Sequence, residues 1–271
     1  MHRAMPASMP LQALFDELPL WLLFLLTLAL VAFSIEVGVH VGRRERRHAA
    51  HEGPSQVGLA TTSVLGLVAF IVGFVLGLAE ARYESRREAK FSEADAIARA
   101  FARASFLPDS SRTAARRLLQ RAATAGLDLE VPRTMDSAMV VLGAARDSLW
   151  TVASAEANAQ PESDTRAMFV ESVSDVFDAF RREIFIARYG RIPPTIWFVF
   201  LALTALGAGI VGYQSGLGSA RRPMSAMAVL AVSLATVVYV ITDLDRPNRG
   251  TLHMSREAMV ALHETFTPRE R

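Results

Sequence analysis

The sequence predicts an all-α, polytopic membrane protein: four transmembrane helices in two pairs, with a helical extramembrane domain between the pairs. Three observations predict it. Four apolar runs without a charge, at residues 18–35, 57–79, 192–213 and 223–242, each approach the roughly 20 residues that cross a hydrocarbon core about 30 Å thick. The 271 residues are 51% apolar, enough to bury a core and too much for a disordered chain. Between the second and third runs, proline, glycine and capping residues divide a helical pattern into segments. The boundaries this gives are residues 1–79 for an N-terminal tail and the first pair, 80–191 for the extramembrane domain, 192–242 for the second pair, and 243–271 for a C-terminal tail.

The first span is a few residues short and lengthens through Glu36, Val37, Gly38, Val39, His40 and Val41 before charges begin at Arg43. Its N-terminal flank sets Arg3 against Asp16 and Glu17, and no small-residue cleavage site follows. A cleavable signal peptide is therefore not expected. Arginines crowd the short connections, with Arg43, Arg44, Arg46 and Arg47 in loop 42–56 and Arg221 and Arg222 in loop 214–222. The positive-inside rule makes those loops cytoplasmic.

From Glu80 the helical pattern continues without a breaker to Pro108, so one helix leaves the bilayer and enters the domain. Asp109, Ser110 and Ser111 cap a second helix that Gly126 stops, and 127–133 reads as a connector. A third helix runs from about Thr134 to near Asn158. Pro161 suits the first turn of a fourth, which ends at Gly190. Met168, Phe169, Val173, Val176, Phe177 and Phe180 form an apolar stripe on that fourth helix. A bundle covering itself explains such a stripe more simply than a partner groove.

Composition and motifs exclude much. With no cysteine there is no disulfide, thiolate metal site or cysteine nucleophile. A net charge of +2 is too small for a nucleic-acid footprint. No P-loop, HExxH or GxSxG occurs, and the His48/His51 spacing falls in a basic loop. Neither an enzyme nor a bound cofactor is expected.

Five groups of residues remain as candidates. Glu36 and His40, four apart near the end of span one, are ionisable at membrane depth and suit either an ion-contacting role or a structural pair. In span two, Ala69, Gly73 and Gly77 form a column that admits a close helix, inside the protein or between subunits. Phe70, Phe74 and Leu78 form a bulky column beside it, which faces lipid or, around a symmetry axis, gates by dewetting. Arg82 and Arg86 continue that column beyond the membrane, where guanidinium groups attract anions, against a rival acidic column of Glu80, Glu84 and Glu88. Asp243 and Asp245 close span four. Carboxylates there oppose the helix dipole, so a clamp with Arg246, Arg188 and Arg191 is expected, with a cation site as the sharper alternative.

Four strings carry a family resemblance: IEVGVHVGRR at 35–44, GFVLGLAEARYESRR at 73–87 with ADAIARAFARASFLP at 94–108, RIPPTIWFVF with GYQSG at 191–216, and DLDRPNRG at 243–250. Together they resemble the bestrophin-like domain family of bacterial and plant membrane proteins, over about residues 36–264. The resemblance implies kinship with bestrophins, pentameric anion channels whose second helix lines the pore with a neck of bulky apolar residues. Phe70, Phe74 and Leu78 fit that neck by spacing. Bestrophins keep both termini cytosolic, opposite to the arginine count here, and no acidic calcium-clasp run occurs. The expected protein is thus a homo-oligomeric passive ion pore in the bacterial inner membrane, contacting the lipid bilayer and small inorganic ions, anions favoured. The competing expectation is a non-conducting scaffold or envelope sensor that binds a partner through the stripe from Phe169 to Phe180.

Overall fold

The computed structural model describes residues 18–48, 54–128, 135–218 and 224–246, together with Leu262 and Phe266. Among the described residues there are seven α-helices, a 3-10 turn and no strand. The helices are α1 (Leu20–His48), α2 (Pro54–Arg103), α3 (Asp109–Asp128), α4 (Met135–Ala159), α5 (Asp164–Tyr189), α6 (Pro194–Leu217) and α7 (Met224–Asp245). Segments of α1, α2, α6 and α7 are long and apolar enough to cross a membrane. The protein is therefore a multi-pass, all-helical membrane protein.

The chain forms two compact units. One comprises Met1–Arg82 and Arg191–Arg246, the other Tyr83–Gly190 and Pro247–Arg271. Helix α2 begins in the first and ends in the second.

In the first unit the chief neighbours of α1 are α6 and α7. Its contact with α6 is made by glycines. A Cβ on Gly38 would stand 2.0 Å from the carbonyl oxygen of Gly209, one on Gly212 2.1 Å from that of Ile35, and one on Gly216 2.5 Å from that of Val39. Two backbones touching at that range gain dispersion along their whole length, which drives helix association where lipid leaves no hydrophobic effect. Val31, Ile35 and Val39 fill the flank against Ala208 and Ala231. Helix α2 joins through Val75 and Ala79, which pack with Ile192, Phe200, Val238 and Ile241. The buried hydroxyls of Thr27, Thr204 and Thr242 donate to carbonyls one turn back, at 2.8, 2.8 and 2.7 Å, so these three are satisfied at membrane depth.

The second unit is an alanine-rich helical bundle. Ile97, Ala100, Leu119, Leu149, Phe169, Val173 and Val176 form its core, with Leu262 and Phe266 buried among them. The Phe101 and Phe266 rings lie 4.4 Å apart. Helix α2 ends in the 3-10 turn Ala104–Phe106, and Leu107 adopts the extended backbone that a following proline requires. Helix α3 runs two residues past Gly126 to Asp128, and most of the expected connector, residues 129–133, lies outside the described residues. Pro161 falls outside the first turn of α5. It occupies a turn closed by Ser163 N–H donating to the Gln160 carbonyl at 3.2 Å, and the helix starts at Asp164. Proline's fixed φ fits position i+1 of that turn as well as it fits a helix start.

Candidate functional site

Helix α2 is the span least covered by its own chain. Of its apolar window 17% is buried, against 22% to 33% for the other three. Phe70 is 68% exposed and Phe74 57%. Leu78, one turn on, is half-buried beside Val75 and Ala79. The three bulky side chains therefore run from an open face to the edge of the packed one. Ala69, Gly73 and Gly77 are exposed, and a Cβ on either glycine meets nothing within 4 Å. Among the described residues nothing fills this small column.

Beyond the apolar window the two arginines part company. Arg82, the last residue of the first unit's share of α2, is half-buried. Arg86 is 4% exposed, and its Nη1 donates to the Gly190 carbonyl at 3.3 Å within the second unit. Glu80, Glu84 and Glu88 all remain exposed.

The end of α7 meets the start of α6 through a carboxylate. Asp245 accepts the Ile192 backbone N–H on Oδ1 at 2.9 Å, just ahead of the two prolines that open α6. The carboxylate that opposes the dipole of its own helix lies beside the positive end of another. Asp243 and Arg246 are buried, and Arg191 is half-buried. The side chain of Arg188 lies outside the described residues, as do Arg221 and Arg222. Among the described residues no group of His, Asp and Glu has the makings of a metal site.

Glu36 and His40 are both exposed, on the side of α1 away from α6. The stripe on α5 goes mostly inward: Phe169, Val173 and Val176 are core, and Met168 is exposed. Half-buried Phe177 and exposed Trp150, with ring centroids 6.0 Å apart, border an open groove of about 290 Å³ between α4 and α5.

The glycine contact between α1 and α6 escaped the sequence reading. Its signal was present in Gly38 and Gly42 on one helix and Gly212 and Gly216 on another, the small-xxx-small spacing already noted on α2.

Comparison with known proteins places the fold and the family. A crystal structure described as that of a membrane protein superposes with a TM-score of 0.65 at 11% identity, covering 90% of this chain and 95% of that one. At that identity the likeness speaks for the fold alone. No curated protein matches the sequence. The bestrophin-like domain matches residues 27–259, most of the chain, and the protein belongs to the bestrophin-like domain family.

Proposed function

We propose that the chain is one subunit of a homo-oligomeric passive ion pore, anions favoured, in which the apolar part of α2 faces the shared axis. The observation that carries this reading is the poor cover of α2 by its own chain. A column of small residues open along its length suits a neighbouring subunit's helix, since close approach is what glycine offers in a membrane. Phe70, Phe74 and Leu78, one helical turn apart, then form a constriction that gates by dewetting. Arg82 attracts anions beside that constriction. Arg86, buried, contributes through its field and not by contact. Asp245 fixes the end of α7 to the start of α6 and so steadies the wall behind α2. The channel kinship in the family's name supports the reading, and the subunit acts by passage, without catalysis or cofactor. Arg43, Arg44, Arg46 and Arg47 put the C-terminal end of α1 on the cytoplasmic side of the bacterial inner membrane.

A scaffold reading loses support because the core of the second unit absorbs most of the stripe offered for a partner. Planar-bilayer recording of the purified protein tests the choice. The wild type passes a small chloride-favouring current, and Phe74→Ala raises it at least several-fold by widening and wetting the constriction. Silence from both proteins rejects the pore.

A further inference from the structure

Helix α1 has two faces with different work. At about 100° per residue, Ile35, Gly38, Val39 and Gly42 share the sector that meets α6 and α7. Arg46 lies within that sector and Glu45 at its edge, and both are bound to α6 or the residue after it. The Tyr213 hydroxyl donates to Glu45 at 2.8 Å, and Arg46 Nη1 donates to the Gly218 carbonyl at 2.7 Å. Glu36, His40, Arg43, Arg44 and Arg47 occupy the opposite sector, within roughly 100° of arc, and all five are exposed.

The order along this outer face is that of an amphiphile. Arg43, Arg44 and Arg47 lie within one turn, about 6 Å of axial rise. His40 and Glu36 follow toward the bilayer centre. Below and beside them the helix presents Val37, Phe33 and Leu26, 46%, 68% and 51% exposed. Ionisable groups turned to bare hydrocarbon are costly, whereas three guanidinium groups at the membrane surface are a strong receiver for phosphate oxygens. A dissolved phosphate ion would use the arginines and leave the apolar strip beneath them without a role. A lipid uses both.

We propose that this face of α1 seats one anionic phospholipid. Its phosphate oxygens accept from Arg43, Arg44 and Arg47, its headgroup accepts from His40, and an acyl chain lies along Val37, Phe33 and Leu26. Glu36, four residues from His40, orients the imidazole from the membrane side. The seat is independent of conduction, so it stands or falls apart from the pore.

Native mass spectrometry of the full-length protein in detergent micelles tests the seat, using phosphatidylglycerol and phosphatidylcholine of identical acyl chains. The first phosphatidylglycerol binds at least tenfold tighter than phosphatidylcholine. Arg44→Gln alone reduces that preference about fivefold, the scale of one arginine at an anionic surface, and the variant R43Q/R44Q/R47Q removes most of it. The single variant carries the test if the triple variant is not inserted or folded. Equal affinity for the two lipids, or a preference that Arg44→Gln leaves whole, overturns the proposal. Complete displacement of the lipid by millimolar inorganic phosphate overturns it too, since the occupant is then a free anion.

Discussion

A methyl group on Gly38 would stand 2.0 Å from the carbonyl oxygen of Gly209, closer than two such atoms can come. The obstacle is backbone, so no side-chain rotation relieves it, and α1 and α6 must separate. Gly38→Ala therefore costs at least the roughly 1–3 kcal/mol of an overpacked core, and Gly212→Ala, facing Ile35 O at 2.1 Å, costs a similar amount. Reversible unfolding in mixed micelles measures both. Wild-type stability in either variant contradicts the contact.

The bond from Ile192 N–H to Asp245 closes the start of α6 against the end of α7. Ile192 is 1% exposed, so water cannot readily replace a lost acceptor. Asp245→Ala should lower stability by about 1–3 kcal/mol, the cost of a buried donor left bare. Asp245→Asn keeps an acceptor oxygen and loses less. Equal losses in the two variants would show that the charge, not the hydrogen bond, holds the junction.

How far the sequence led follows from what each feature depends on. The four spans and the division of the central segment were legible because apolar length, Pro108 and Gly190 act locally. The backbone partner of Asp245 was not, because a backbone N–H carries no sequence signature. The inward turn of Arg86 was equally hidden. Its position in the column with Arg82 is a matter of helix phase, while its burial depends on where the chain returns at Gly190. The open glycines of α2 and the closed ones of α1 and α6 share one spacing, and only tertiary packing distinguishes them.

In the second unit Glu156 forms a buried junction. Ser111 Oγ donates to its Oε1 at 2.5 Å, and Arg166 lies 3.0 Å from Oε2, both charged side chains being 13% exposed or less. Glu156→Ala leaves Arg166 buried without its charge partner, a loss of about 3–5 kcal/mol. The pair E156L/R166L costs much less because no charge is stranded. Hydrogen exchange across α3, α4 and α5 reads the difference as faster exchange in the single variant.

Selectivity is tested at Arg82. If that guanidinium enriches anions at the pore, Arg82→Glu moves the reversal potential in a salt gradient toward the cation value, with the particle size unchanged. An unshifted reversal potential removes Arg82 from selectivity and leaves the exposed carboxylates of Glu80 and Glu84 as the governing field.

Gly73 and Gly77 offer the counter-case to Gly38, since a Cβ on either enters open space. Gly73→Leu and Gly77→Leu should not lower the unfolding midpoint of the isolated subunit, and the helix propensity leucine adds over glycine, up to about 1 kcal/mol, raises it slightly. If a neighbouring subunit fills this column, the same leucines hold the two helices apart, and light scattering finds smaller particles than the wild type. Assemblies of undiminished size would mean that the column faces lipid, and the axis would then have to be sought along a different helix.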